Sequence, residues 1–405
     1  MFMYTDYTQH LLDNVKKIHF IGGSGMYPLI QILAAKGYDI SGSDVLDGSI
    51  IRSEREMGVK VTLGHSADNV IGADLVVYSA AIAKDNVELN AAASYGITTV
   101  ERSVLLGYVS RLYKQSICVS GTHGKTTTTS MITTALELAG RDPSAVIGGK
   151  LPLIHGYGKA GKGDDIVIEA CEFSETFLKL TPYLSVVLNI DNDHLDYYGS
   201  MGELKFAFKR FALMTQFMIF ANADDKNTMD VMYTLDRRVR TFGINNDGDY
   251  QAVNVQEYKP GFFEFDLKEW SKVTGHIRLA VPGRHNIYNA LAMCAVCRFA
   301  GLTVEQCAAA AAMALGNLLG LVCDPVAGLV EVPCIKRNVV GAVNAVSCAN
   351  MALAGVDYAI PCDEVIDAMG RVGSLLSPDL RETGQGGLAA TPTGVRIAER
   401  LAEEA

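Results

Sequence analysis

The sequence lacks an excess of basic residues. Its 35 Lys and Arg residues are outnumbered by 45 Asp and Glu residues, which gives a formal net charge of −10. Proteins that hold nucleic acid on a basic face need the opposite balance, so we expect no nucleic-acid partner. Small anionic ligands are not excluded, because local backbone amides, one lysine and a metal ion suffice to bind them.

Signals for export and for membrane insertion are also missing. Residues Met1–Asn14 are polar and mixed, without the apolar stretch of a secretory signal. The most apolar run, Cys307–Cys323, is at the lower limit for a membrane span and predicts a buried helix instead, so we expect no membrane insertion. The nine cysteines are odd in number and irregularly spaced, which favours reduced thiols in a cytoplasmic protein.

What the sequence does contain is an alternation of strand-like and helix-like segments. Its 405 residues are 49% hydrophobic, enough for two or three domains with large cores. In residues 1–115, apolar strands such as Lys17–Ile21 and Tyr38–Ser43 are separated by helical stretches. This βαβ alternation predicts an α/β fold that begins with a Rossmann-like parallel-sheet domain.

A glycine turn follows the first strand, where such folds hold a nucleotide phosphate. The first glycine turn consists of Gly22, Gly23, Ser24 and Gly25. Pro28 stands where the G-x-G-x-x-G pattern has its last glycine. Asp44 follows the second strand, as expected of an acidic residue that binds a ribose hydroxyl. An aspartate there can equally cap the next helix, so these residues alone leave nucleotide binding open.

The stretch SICVSGTHGKTTTTS at 116–130 has the layout of a phosphate-binding loop, with a strand, a glycine turn, Lys-Thr and a helix. Lys125 would contact the outer phosphates, and the Thr126 hydroxyl would bind Mg²⁺. The other candidate nucleotide-binding residues are Gly121, Thr122, His123, Gly124 and Thr127. The helix is predicted to run from Thr127 onward. The alternative, a glycine-rich turn before an ordinary helix, fits the context less well.

Polar residues also follow the later strands of this second α/β segment. Glu169 and Glu172 lie at the end of the apolar strand Asp165–Ala170, and His194 follows the strand Tyr183–Ile190. Parallel strands bring their carboxyl ends to one edge of the sheet. Glu172 and His194 are therefore candidate Mg²⁺ ligands, although magnesium usually prefers oxygen. Each alone would be interpreted as a helix cap or a surface charge.

A Pro-Gly turn then leads into an alanine-rich helix. Its first turn carries His285, Asn286 and Asn289, and the two asparagines are three positions apart and share a helix face. We expect these side chains to lie near the base or ribose of a nucleotide. Capping of the helix is the alternative.

Residues 1 to about 305 resemble the Mur ligases of peptidoglycan synthesis. Six motifs carry the resemblance, in this order: HFIGGSGM at 19–26, SGSD at 41–44, GTHGKTTTT at 121–129, EACEFSETF at 169–177, NIDNDHLDYY at 189–198 and PGRHNIYNA at 282–290. The short G-T-H-G-K-T loop is typical of that family. The first glycine turn is about two residues shorter than the family's usual Gly-Ile-Gly-Gly-x-Gly-Met, which would displace the backbone N–H groups that meet the UDP diphosphate.

The resemblance implies a domain organisation and a set of ligands. Residues 1–115 would bind the UDP-sugar, with the first glycine turn and Asp44 as its substrate-binding residues. Residues 116–308 would be the central domain that binds ATP and Mg²⁺. The branch that the chain resembles most joins L-alanine to UDP-N-acetylmuramate through an acyl phosphate, as a cytoplasmic enzyme.

The resemblance also implies roles for individual residues. Lys125, Glu172 and His194 would be catalytic, and Thr126, Glu172 and His194 would bind Mg²⁺. Asn286 and its neighbours would lie near the adenosine. This agrees with the chemistry of phosphoryl transfer, which needs positioning, a metal ion and fixed positive charge more than covalent work from the protein.

Residues 309–405 do not resemble the third domain with which Mur ligases close over the amino acid. They resemble the C-terminal end of the α region of iron–sulfur L-serine dehydratases, through the signature CDPVAGLVEVPC from Cys323 to Cys334, and are expected to be mainly helical. That family binds a [4Fe–4S] cluster through three cysteines. The first would lie near Val281, where no cysteine stands. Two thiolates are a poor anchor for a cluster, so we expect two ordinary thiols instead.

The chain therefore resembles a chimera that joins a Mur ligase, near residues 300–315, to a fragment of a dehydratase. The first hypothesis is an ATP-dependent ligase that binds its substrates better than it turns them over, since the third domain would position the amino acid and exclude water. The alternatives are an iron–sulfur L-serine ammonia-lyase and a non-catalytic ATP-binding remnant.

Overall fold

The computed structural model describes residues 10–22, 24–192 and 195–323, and within these ranges it leaves aside the side chains of residues 24, 195, 196 and 314–323. The chain divides into two units, residues 1–317 and 318–405. The fold described below is that of the first unit, together with the final helix, which ends at Cys323. Most of the segment 309–405, with its predicted helical structure, lies outside the described residues.

The N-terminal part forms a five-stranded parallel sheet. Its strands are β1 (Lys17–Ile21), β2 (Asp39–Asp44), β3 (Lys60–Leu63), β4 (Leu75–Tyr78) and β5 (Thr98–Glu101). Its helices are α1 (Tyr27–Ala35), α2 (Ser49–Glu56), α3 (Val87–Ser94) and α4 (Arg102–Ser110). The strand order β3-β2-β1-β4-β5, with every pair parallel, confirms the predicted Rossmann-like sheet. Because β2 lies on one side of β1 and β4 on the other, the winding direction reverses at β1 and a crevice opens at its carboxyl end.

A second sheet of ten strands follows. Its strands are β6 (Gln115–Ser120), β7 (Ser144–Leu151), β8 (Gly156–Lys159), β9 (Asp165–Glu169), β10 (Leu184–Val187), β11 (Met218–Asn222), β12 (Val239–Gly243), β13 (Tyr250–Lys259), β14 (Phe262–Glu269) and β15 (Lys272–Arg278). Its helices are α5 (Lys125–Leu138), α6 (Leu195–Tyr198), α7 (Met201–Met214), α8 (Lys226–Met232), α9 (His285–Phe299) and α10 (Val304–Cys323). The strand order is β15-β14-β13-β12-β11-β10-β6-β9-β7-β8.

The core of this second sheet is parallel and its two margins are antiparallel. β7, β9, β6, β10, β11, β12 and β13 pair in parallel, whereas β13-β14-β15 and β7-β8 pair antiparallel. The central strands carry continuous apolar runs, and β10 and β11 are buried along their whole length. Helices on both faces of a parallel sheet produce this pattern.

Helix α5 begins two residues earlier than predicted. It starts at Lys125 rather than at Thr127, because Gly124 takes a left-handed conformation with φ of +85° and closes the loop immediately before it. Glycine reaches this conformation without the steric cost that a Cβ would add. The earlier start places Lys125 and Thr126 in the first turn of the helix.

The helix α4 connects the two sheets. It follows the last strand of the first sheet and packs on the 3₁₀ segment Phe173–Lys179 of the second. A Cβ on Gly107 would lie 2.1 Å from the carbonyl oxygen of Lys179, so only glycine fits at this contact. The Thr181 N–H donates to the Ser110 hydroxyl at 3.1 Å.

Among the described residues, we find no helix of the length and apolarity needed to span a membrane.

Candidate nucleotide and metal site

Two glycines shape the loop between β6 and α5. Gly121 has φ of +139° and Gly124 has φ of +85°. A Cβ on Gly121 would lie 2.9 Å from the Leu188 side chain, and one on Gly124 would lie 2.3 Å from Oδ1 of Asn289. The loop backbone therefore lies against its neighbours so closely that side chains are excluded at both positions. A glycine turn directly before a helix N-terminus is typical of loops that bind phosphate.

Lys125 closes the loop with its own side chain. Its Nζ donates to the carbonyl oxygens of Gly121, at 2.7 Å, and Thr122, at 3.1 Å. It also lies 3.0 and 2.9 Å from the two carboxylate oxygens of Glu172. Glu172 is buried, and its charge is compensated by Lys125. The sequence-predicted pair is thus brought together, with the ammonium at the mouth of the loop.

Thr126 contacts a carboxylate that the predicted site did not include. Its hydroxyl donates to Oε1 of Glu169 at 2.9 Å, and the Gly148 N–H donates to Oε2 at 2.7 Å. Burial raises the pKa of Glu169, while these two hydrogen bonds and nearby Lys125 act in the opposite direction. The signal was present in the sequence, since Glu169 ends the strand that precedes Glu172.

The oxygen atoms gathered here suit a hard cation. A hydroxyl and two carboxylates, from Thr126, Glu169 and Glu172, are the ligand types that Mg²⁺ prefers. In the described ranges, no three His, Cys, Asp or Glu side chains are already arranged around a common metal position. His194, the third predicted ligand, lies outside the described residues.

The segment after β10 fixes the other side of the loop. Asn189 accepts the His123 N–H at 2.8 Å and donates to the His123 carbonyl at 3.1 Å. The Asp191 N–H donates to the Thr122 hydroxyl at 2.9 Å. Asn189 was not among the predicted site residues. Its position in the motif NIDNDH, directly before the segment that leads to His194, is the signal that marks it.

The first turn of α9 is joined to α5 by a chain of amides. Oδ1 of Asn289 accepts the Thr128 hydroxyl at 3.2 Å, and its Nδ2 donates to Asn286 at 2.7 Å. Asn286 in turn donates to the carbonyl of Pro282 at 2.6 Å. No side chain caps α9, so these asparagines hold the helix against the phosphate loop.

His285 is beside them, and burial lowers its pKa, with a smaller contribution from His123. The remaining predicted residue, Thr127, is partly exposed in the first turn of α5.

The first glycine turn occupies the crevice at the carboxyl end of β1. Gly22 has φ of +64° and donates its N–H to the Ser43 carbonyl at 2.7 Å. The carbonyl of Gly25 accepts a hydrogen bond from Nε of Arg102 at 2.7 Å. Asp44, at the end of β2, accepts the Leu46 N–H at 3.0 Å. Of the other predicted residues, Gly23 and the Ser24 side chain lie outside the description.

Glu88 is a buried acid close to this crevice, and the predictions did not include it. Its carboxylate accepts hydrogen bonds from the Ser43 hydroxyl at 2.6 Å, from the Ser66 N–H at 3.3 Å and from the Asn69 amide. Two imidazoles lie beside it, with Nδ1 of His65 at 3.2 Å and Nε2 of His19 at 3.7 Å. Burial acts to raise the pKa of Glu88, but the nearby imidazole of His19 and hydrogen bonds from Ser43 and Asn69 outweigh it and lower the pKa to about 2. The network ties β1, β2 and α3 together at the edge that carries the glycine turn.

Two Mur ligase family models match the chain. The Mur ligase catalytic domain matches residues 17–114, and the Mur ligase middle domain matches residues 119–297. The model of the serine dehydratase alpha chain matches residues 288–389. The last two matches overlap at 288–297, within α9.

Relatives of known name resemble the same part of the chain. A UDP-N-acetylmuramate–L-alanine ligase from Caldanaerobacter subterraneus is 42% identical over 73% of this chain and 65% of its own length. One from Acetivibrio thermocellus is 43% identical over 73% of this chain and 64% of its own. The chain thus spans slightly less than two thirds of the length of these relatives.

Solved structures share the fold. A UDP-N-acetylmuramate–alanine ligase from Thermotoga maritima superposes with a TM-score of 0.64 at 29% identity, covering 73% of this chain and 67% of that one. A UDP-N-acetylmuramate:L-alanyl-γ-D-glutamyl-meso-diaminopimelate ligase from Neisseria meningitides superposes with a TM-score of 0.67 at 25% identity, covering 74% of this chain and 98% of that one.

Proposed function

Because residues 17–297 of this chain belong to the Mur ligase family, we propose that it is an ATP-dependent ligase that acts on UDP-N-acetylmuramate and L-alanine. The observation that supports this most directly is the phosphate loop, where Lys125 bridges the loop carbonyls and Glu172 while Thr126 contacts Glu169. Two glycines, where a Cβ would meet Leu188 and Asn289, let the loop backbone pack closely on its neighbours.

In this proposal the phosphate loop and its neighbours bind Mg-ATP. The loop N–H groups and Lys125 hold the phosphates, since the ammonium can exchange its bonds to carbonyls for bonds to phosphate oxygens. Thr126, Glu169 and Glu172, together with His194 by resemblance, would hold Mg²⁺, which would neutralise the charge of the phosphates. Asn286 and Asn289 keep α9 against the loop, on the side where the adenosine would lie.

The UDP-sugar would occupy the crevice of the first sheet. The backbone of the first glycine turn would contact the diphosphate, and Asp44 at the end of β2 would bind a ribose hydroxyl. The γ-phosphoryl group of ATP would be transferred to the substrate carboxylate. The amine of L-alanine would then attack the acyl carbon and release phosphate, which leaves an amide bond. Under this proposal the enzyme is cytoplasmic.

The alanine step is the one that we expect to be slow. The match to Mur ligases ends at residue 297, and a serine dehydratase match covers residues 288–389. We therefore propose that this chain binds its two nucleotides well and completes ligation inefficiently, because the reacting groups are less well enclosed and water competes with the amine.

The test is phosphate release by the full chain with Mg-ATP and UDP-N-acetylmuramate, with and without L-alanine, alongside calorimetric titration of Mg-ATP. Alanine-dependent release supports the ligase. Release that needs the sugar nucleotide but not alanine supports phosphoryl transfer without ligation. ATP that is bound and never consumed identifies a nucleotide-binding remnant, and a chain that binds no Mg-ATP overturns the proposal.

A second candidate rests on the match to the serine dehydratase alpha chain. It would be an L-serine ammonia-lyase, with Cys323 and Cys334 as the matching iron–sulfur ligands. Both side chains lie outside the description. Anaerobic reconstitution with iron and sulfide tests it, since a cluster gives a visible absorption band and the lyase releases pyruvate from L-serine. A colourless chain that yields no pyruvate removes this candidate.

A further inference from the structure

Arg102 lies where the two proposed substrate sites approach each other. It is the first residue of α4, directly after β5 of the first sheet. The same helix packs against the segment Phe173–Lys179, which begins immediately after Glu172. Gly107 makes this packing close, as its Cβ position lies 2.1 Å from the Lys179 carbonyl. The start of α4 is thus fixed with respect to both sheets.

The guanidinium of Arg102 lies against the first glycine turn. Its Nε donates to the carbonyl of Gly25 at 2.7 Å, and a Cβ on Gly25 would lie 3.5 Å from Nε and 3.7 Å from Cζ. Neither Nη atom makes a hydrogen bond or an ion pair in the part of the chain that the structure describes. Because Arg102 is only partly buried, these donors remain accessible to a ligand.

The charged groups around Arg102 that the structure describes are acidic, so its guanidinium is a cation that an anionic ligand could contact. Burial lowers the pKa of Arg102, while Cys171, Glu101 and Glu169 act to raise it. Two of these groups, Cys171 and Glu169, belong to the edge of the phosphate loop. A cation in the first turn of a helix is unfavourable for the helix dipole, so the helix itself gives no reason for an arginine at this position.

We propose that Arg102 binds the carboxylate of the UDP-N-acetylmuramate substrate and holds it between the first glycine turn and the phosphate loop. The inference rests on the proposed function and adds a substrate-binding residue to it. A guanidinium presents two parallel N–H donors that match both oxygens of a carboxylate, whereas a lysine offers a point charge. With Nε committed to Gly25, the two Nη atoms supply these donors.

The experiment compares two sugar nucleotides on the full chain. Calorimetry measures the affinities of wild type, Arg102→Gln and Arg102→Lys for UDP-N-acetylmuramate and for UDP-N-acetylglucosamine, which has the same diphosphate but no carboxylate. Because a charge-assisted pair is lost, we expect Arg102→Gln to weaken UDP-N-acetylmuramate binding about 10- to 100-fold more than it weakens UDP-N-acetylglucosamine binding. Arg102→Lys should recover only part of the loss.

Arg52, exposed on α2 of the same domain, provides the matched control as Arg52→Gln. Mg-ATP affinity should be the same in all variants, and the two Arg102 variants should show similar thermal midpoints, since both lose the hydrogen bond from Nε to Gly25. An equal loss for both sugar nucleotides, or no loss for either, overturns the role of Arg102 and leaves the proposed function standing. A wild-type chain that binds neither UDP-N-acetylmuramate nor Mg-ATP overturns both.

Discussion

The ammonium of Lys125 lies 2.9 Å from one carboxylate oxygen of Glu172 and 3.0 Å from the other. The side chain of Glu172 is 1% exposed and that of Lys125 is 13% exposed. The pair is therefore nearly removed from water, where an ion that loses its partner is costly. The phosphate loop thus contains a charge pair on which both its stability and its affinity for phosphate depend.

We expect Lys125→Met to abolish Mg-ATP binding and to lower the free energy of unfolding by about 3 kcal/mol, because Glu172 would remain buried without its cation. Calorimetric titration measures the first effect and urea denaturation the second. The double variant Lys125→Met, Glu172→Gln is the control. It should regain most of the lost stability and none of the ATP binding. A single variant as stable as wild type would contradict a buried ion pair between Lys125 and Glu172.

Gly124 offers a test of the close approach between the loop and α9. Gly124→Ala would place a methyl group 2.3 Å from Oδ1 of Asn289 and would strain a backbone with φ of +85°. Gly140→Ala is the matched control, since Gly140 has φ of +72° and open space around its Cβ position.

The left-handed conformation costs both variants about 1 to 2 kcal/mol. We expect the Gly124 variant to lose more stability than this in urea denaturation and to bind Mg-ATP weakly. Adding Asn289→Ala to Gly124→Ala should restore part of the stability. Equal losses in the two alanine variants would contradict the contact with Asn289.

Local signals explain which parts of this site could be predicted. The strand, glycine turn and Lys-Thr sequence indicated the phosphate loop, because a left-handed glycine and a helix N-terminus are encoded within a few residues. The parallel sheet followed from the alternation of apolar strands and helices. Glu172 was expected at the same edge, and its ion pair with Lys125 confirms that proximity.

The features that were not predicted depend on contacts between distant positions. The hydroxyl of Thr126 bonds to Glu169, 43 positions away, and Ser43 bonds to Glu88, 45 positions away. Neither partner can be chosen from spacing, since several carboxylates end strands or begin helices nearby. The antiparallel margin β13-β14-β15 was also missed, because none of its strands was identified from the sequence.

Glu88 should give the protein a stabilising contribution that acid removes. Its pKa in the folded state is about 2, below the 4.5 of an ordinary glutamate. The contribution is therefore complete above pH 4.5 and is lost as the pH falls toward 2. We expect Glu88→Gln to be less stable than wild type by up to about 3 kcal/mol at pH 7.

Urea denaturation at pH 7, 5, 4 and 3 should show this difference in stability shrink as the pH falls. Ser43→Ala, which removes one donor, should show a smaller effect, and a difference independent of pH would refute the role of the ionised carboxylate.

Glu54 should show the opposite dependence. It is 4% exposed, and burial, followed by the charge of Asp44, raises its pKa to about 7. Because the folded state then holds a proton that the unfolded state releases, wild type loses stability as the pH rises from 4.5 to 7. Glu54→Gln should gain stability relative to wild type over this interval, by up to about 3 kcal/mol.

Thermal midpoints of wild type and Glu54→Gln at pH 5 and pH 8 measure this gain. The control is Glu56→Gln, which changes an exposed residue on the same helix. A constant difference between Glu54→Gln and wild type would contradict a raised pKa.

The hydroxyl of Thr126 should decide how strongly Mg²⁺ promotes ATP binding. It lies 2.9 Å from Glu169, so Thr126→Val removes one oxygen ligand and leaves that carboxylate with the Gly148 N–H. Changes around metal ligands alone cost about 10- to 100-fold in metal affinity, and we expect the loss of a ligand to cost at least as much. Thr126→Ser keeps the oxygen and should behave like wild type.

The measurement is ATP affinity with Mg²⁺ and with EDTA for wild type and the two Thr126 variants. In EDTA all three should bind ATP equally weakly, because Lys125 and the loop amides are unchanged. With Mg²⁺ the affinity should rise for wild type and Thr126→Ser and stay low for Thr126→Val. If the valine variant gains as much from Mg²⁺ as wild type, the metal is not bound through Thr126, and Glu169 and Glu172 must hold it without the hydroxyl.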